Sequence, residues 1–77
     1  MQDIPINVRA YSGYRIEERP TSFFLEDREL KVKEILRTTH EERGKRRIRT
    51  FKVLTEEGEI YKIYYAEDEG QWYLEAA

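Results

Sequence analysis

Ile6-Asn7-Val8-Arg9-Ala10-Tyr11 alternates apolar and polar residues with period two, the pattern of a strand with one buried face. Ser12-Gly13 signals a turn or bulge, and Glu17-Glu18-Arg19-Pro20 reads as a polar connector in which Pro20 biases Arg19 toward extended backbone. Residues 21–25 are rich in β-branched and aromatic side chains and predict a second strand. Glu26-Asp27-Arg28-Glu29 supplies a hairpin turn, and alternation resumes at Leu30-Lys31-Val32-Lys33. The phase slips by one at Glu34-Ile35-Leu36, which in a strand predicts a bulge that bends the sheet.

The same stretch also fits a helix near residues 28–43. Val32, Ile35, Leu36 and Thr39 share a helical face, and Glu29 precedes Lys33 by one turn. Against the helix stand the β-branched Val32, Ile35, Thr38 and Thr39 and the lack of a strong N-cap and capping box. Residues 41–47 read as a charged loop around Gly44. Residues 48–54, 60–65 and 72–74 then form a three-stranded meander, with turns at Glu56-Glu57-Gly58-Glu59 and Glu67-Asp68-Glu69-Gly70. Phe51, Val53, Ile63 and Trp72 are its expected core. The fold class predicted is all-β, a single domain over residues 1–77 built as a five- or six-stranded bent antiparallel sheet or an SH3-like barrel. An α+β domain with one helix near 28–43 is the alternative.

At 77 residues the chain is near the lower limit for an unaided core, with 39% hydrophobic and 39% charged residues. Its ten aromatics set it apart from disordered chains of similar charge. Heavy use of Glu, Lys and Arg beside one Asn and two Gln resembles heat-adapted proteins. The absence of cysteine excludes a disulfide framework or thiolate metal site, and no basic-then-apolar start or long apolar run points to a signal peptide or membrane span. A cytoplasmic location is expected, with no membrane partner. Charge is uneven: residues 1–54 carry +4 and residues 55–77 carry −6.

The basic stretch Arg43, Lys45, Arg46, Arg47, Arg49 and Lys52 contains no acid and is the candidate nucleic-acid-binding segment. Tyr61, Tyr64 and Tyr73 are the candidate aromatic contact face, with Trp72 a further stacking candidate. The competing reading neutralises the cations against Glu56, Glu59 or Glu67 of the following strands and leaves Tyr64 and Tyr73 on the rim of a barrel filled by Ile63, Tyr65 and Trp72.

Catalytic chemistry finds few parts. His40 is the single histidine and reads as a solvated loop residue beside Glu41 and Glu42. The acids around Gly58 and Gly70 belong to exposed turns, and neither cluster has the spacing of a calcium loop. Ser12 and Ser22 lack a neighbouring base, and no glycine-rich phosphate loop is present. These absences predict no enzyme, no catalytic or metal residues and no cofactor.

Arg19-Pro20, residues 23–25, Leu30-Lys31-Val32 and Glu34-Ile35-Leu36, followed by Phe51-Lys52-Val53, Tyr61-Lys62-Ile63-Tyr64 and Gly70-Gln71-Trp72-Tyr73-Leu74, resemble a family of short bacterial domains of unknown function. The resemblance spans roughly residues 17–76. It implies a small β domain, and some members are encoded near or attached to lesion-bypass polymerase components. It carries no catalytic residues. The acidic end and Thr38-Thr39-His40 depart from the family pattern. The expected function is therefore a non-enzymatic binding or adaptor module with a protein partner, and nucleic-acid binding through residues 43–52 is the alternative.

Overall fold

The computed structural model describes residues 3–11 and 19–75, apart from the side chains of Tyr11 and Arg43. The expected turn at Ser12-Gly13 and the connector acids Glu17 and Glu18 lie outside the described residues. Six strands follow in order: β1 (Ile4–Tyr11), β2 (Arg19–Leu25), β3 (Arg28–Arg43), β4 (Arg46–Thr55), β5 (Ile60–Ala66) and β6 (Gln71–Leu74). Each pairs antiparallel with the next, and β6 returns to β1 through Ile4 opposite Leu74 and Ile6 opposite Trp72. The sheet thereby closes into a six-stranded barrel. Closure lets a short chain bury one face of every strand in a common interior.

That interior is the face the alternation marked. Phe23, Val53 and Ile63 are fully buried, and Ile6, Leu30, Phe51 and Trp72 complete the cluster. Phe51 and Trp72 pack with ring centroids 5.5 Å apart, and Tyr65 flanks Trp72 at 5.1 Å. All four expected core residues are in place.

The helical alternative for residues 28–43 is overturned, because the whole stretch is strand β3. Its register with β4 shifts twice, between Val32 and Glu34 and between Ile35 and Arg37. Each bulge inserts one residue, so Val32, Ile35 and Thr38 fall opposite Thr55, Val53 and Phe51 on one face. A strand with two bulges thus acquires the three-residue spacing of a helix. The phase slip seen at Glu34-Ile35-Leu36 marks the second bulge.

The charged loop expected over residues 41–47 is also corrected. Its turn is only Gly44-Lys45, and the ladder runs on through Glu41 opposite Ile48, Glu42 opposite Arg47 and Arg43 opposite Arg46. Gly44 takes φ 65°, the left-handed conformation that a tight hairpin needs at its first position. Charge does not prevent pairing here, since Glu41, Glu42 and Arg47 are exposed to water while their backbone groups complete the ladder. The β4–β5 turn follows its sequence signal. Gly58 has φ 90°, and the Thr55 side-chain oxygen accepts a hydrogen bond from the Glu59 amide at 3.1 Å.

Candidate functional site

The barrel is closed in topology but its strands diverge on one side. β2 pairs with β3 only from Ser22 opposite Lys31 to Leu25 opposite Arg28. Toward the other end, β2 stays on β1 as far as Tyr11 opposite Arg19, while β3 follows β4 out to Arg43. Between them opens a cleft of about 680 Å³. Pro20, Val32, Ile35 and Phe51 give it an apolar lining, and Arg19, Lys33, Glu34, His40 and Arg49 supply polar groups. Beyond Val32, no strand among the described residues pairs with the outer edge of β3.

The basic segment is divided among several surfaces. Lys45 occupies the exposed hairpin tip. Arg46 is paired with Asp68 at 3.6 Å and with Glu69. Arg47 is exposed opposite Glu42. Arg49 shares the inner face with Phe51, its side chain is 13% exposed, and its guanidinium is 3.8 Å from Glu67. Lys52 is exposed on the outer face. Arg43 closes the ladder opposite Arg46, and its side chain lies outside the described residues. Six neighbouring cations therefore do not make one patch, because strand alternation sends successive residues to opposite faces.

The aromatic trio is divided as well. Tyr61 has the parity of Ile63 and packs edge-on against Phe23, with centroids 5.5 Å apart and planes at 76°. Tyr64 and Tyr73 lie on the outer face and stack on each other at 5.2 Å and 23°. Tyr64 is only 7% exposed and donates a hydrogen bond to Asp3, and Tyr73 donates one to Glu69. The hydrogen bond to Glu69, followed by desolvation, raises the pKa of Tyr73. Burial, followed by the charge of Glu59, raises that of Tyr61. Trp72 is buried in the barrel.

His40 sits on β3 and lines the cleft, so it is a strand residue and not the expected loop histidine. Among the described residues no group of three or more His, Cys, Asp and Glu side chains converges to hold a metal. Two features escaped the sequence reading. One is the cleft, created by the different lengths over which β2 and β3 stay paired. The other is the alignment of Lys52 with Arg37 and Lys62, which are distant in sequence. The phase slip at Glu34-Ile35-Leu36 points to a bend in β3, but only the register reveals the divergence and the alignment.

No family model, curated protein or solved structure matches this chain. No helix among the described residues is long and apolar enough to cross a membrane.

Proposed function

We propose that this chain is a non-enzymatic, cytoplasmic binding module that holds an extended segment of a protein partner along the outer edge of β3. The observation carrying this reading is the juxtaposition of an edge unpaired among the described residues with an apolar cleft directly beside it. An added strand would satisfy the edge through main-chain hydrogen bonds, and alternate side chains would enter the cleft, where Val32, Ile35 and Phe51 select apolar groups. With Arg49 held by Glu67, Arg19 and Lys33 still outnumber Glu34 around the opening and favour a segment that also carries carboxylates. The resemblance to domains associated with lesion-bypass polymerases supports a partner among bacterial proteins that act on DNA.

Selection of random decapeptides on the immobilised protein, followed by amide chemical-shift mapping, tests this reading. Enriched peptides are expected to alternate apolar and acidic residues and to shift Val32, Ile35, Thr38 and His40. Ile35→Lys, which places a charge in the cleft, abolishes that binding while leaving the remaining amide spectrum intact. Peptides mapping to the opposite face, or binding Ile35→Lys equally well, would sink the proposal. Concentration-dependent self-association lost in Ile35→Lys would assign the edge to a second copy instead.

A further inference from the structure

Arg37 on β3, Lys52 on β4 and Lys62 on β5 stand directly opposite one another on the outer face of the barrel. Neighbouring strands are about 4.8 Å apart, so the backbone positions of these three cationic residues span roughly 10 Å. Like charges directly opposite destabilise a sheet. Some other cations of the chain are ion-paired: Arg28 with Glu57, Arg46 with Asp68 and Glu69, and Arg49 with Glu67. None of Arg37, Lys52 and Lys62 has an ion-pair partner among the described residues. The fold alone gives no reason for such a row.

A second, independent feature lies at the same place. The three cations line a depression of about 270 Å³ together with Thr39, Thr50, Glu41 and Glu75. The Thr50 side-chain oxygen is buried and has no hydrogen-bond partner, and Thr50 as a whole is only 8% exposed. Buried hydroxyls are nearly always satisfied, and this one lies in the row next to the cations, within the lining of the same depression.

We infer that this depression binds a phosphate group. Arg37, Lys52 and Lys62 meet its charged oxygens, and the Thr50 hydroxyl, after a small side-chain rotation, donates to one of them. A tetrahedral dianion offers more oxygens and more charge than a carboxylate, which suits three cations drawn from three strands. Glu41 and Glu75 lower the net charge of the lining to +1, and they repel a long polyanion laid across the strands. The site is therefore fitted to a compact or terminal phosphate, either free phosphate or the 5′-phosphate of an oligonucleotide. It is distinct from the cleft and does not depend on what the cleft binds.

The test is thermal melting and amide-shift titration of the whole chain with inorganic phosphate, replacing chloride at constant ionic strength. Parallel arms use one single-stranded oligonucleotide with and without a 5′-phosphate. Phosphate is expected to raise the melting temperature and to shift the amides of Arg37, Thr50, Lys52 and Lys62. Lys52→Gln and Lys62→Gln each weaken binding about tenfold or more. Both melt at or above the wild-type temperature without phosphate, because repulsion is relieved. Thr50→Val likewise gains stability and loses affinity, and Arg47→Gln changes neither. A preference for the 5′-phosphorylated strand identifies the terminus of a nucleic acid as the source, and a response to inorganic phosphate alone identifies the free ion. No response at constant ionic strength, or an equal loss in Arg47→Gln, overturns the site. So does equal binding of both oligonucleotides without any response to inorganic phosphate.

Discussion

Tyr61 and Tyr73 hold their protons more tightly than ordinary tyrosines, for different reasons. Tyr73 donates a hydrogen bond to Glu69, whereas Tyr61 is penalised first by desolvation and then by the charge of Glu59. Both folded pKa values lie above the ordinary 10.0, so the folded state binds more protons than the unfolded chain in that range. The associated stability is fully present below that value and is lost as pH rises through the folded pKa values. Tyrosinate absorbance should accordingly titrate at higher pH in the folded protein than in denaturant, and Tyr73→Phe should remove part of the displacement. Coincident titrations would show that the Tyr73–Glu69 hydrogen bond does not persist in solution. At this scale the sequence was informative about burial. Alternation alone separates Ile63, Tyr65 and Trp72 from Tyr64 and Tyr73, and the same parity places Tyr61 inside with Ile63. The Tyr64–Tyr73 stack was beyond it, because side chains adjacent on different strands meet only once register is known.

Among the elements, β3 explains both what was legible and what was ambiguous. Bulges gave Val32, Ile35 and Thr38 a helical spacing, and their β-branching, with the missing N-cap and capping box, favoured the strand. The hairpin before β3 contains a different irregularity. Leu25 opposite Arg28 closes a two-residue turn, and Glu26 at its first position has φ 57°. Gly44 occupies the corresponding position of the β3–β4 turn with φ 65°. An L-residue in the left-handed region costs about 1–2 kcal/mol, and glycine adopts it freely. Glu26→Gly should therefore stabilise the barrel by about 0.5–1 kcal/mol, part of the relief being offset by the greater freedom of glycine in the unfolded chain. Urea unfolding should show a higher midpoint with an unchanged slope. A lower midpoint would mean that the Glu26 side chain contributes more than its backbone costs.

For the whole molecule, charge order along the chain foretold part of the surface and missed the rest. Of the acids expected to neutralise the basic stretch, Glu67 does pair with Arg49, whereas Arg46 is held by Asp68 and Glu69 instead of by Glu56 or Glu59. Lys52 escapes because β5 places Lys62, and not an acid, opposite it. A barrel was among the folds the sequence predicted, but the β1–β6 seam that closes it was not legible, since it joins strands far apart in the chain. Ile6 meets Trp72 across the β1–β6 seam, whereas the other ladders join consecutive strands. Bringing such distant segments together carries the largest loop-closure entropy in the fold. The β3–β4–β5 ladders can form first through local hairpins, with Val53 between Ile35 and Tyr61 at their centre. The seam should then zip last. Ile6 and Val53 are both buried, at 5% and 0% exposure, so Ile6→Ala and Val53→Ala should each destabilise by about 2–4 kcal/mol. Their kinetics should differ: Val53→Ala slows folding, and Ile6→Ala mainly accelerates unfolding. Stopped-flow chevrons in urea measure both limbs, with folding expected in the millisecond-to-second range typical of non-local β topologies. Slower folding in Ile6→Ala with an unchanged unfolding limb would place the seam in the nucleus, and the order of assembly would be the reverse of that argued from the register.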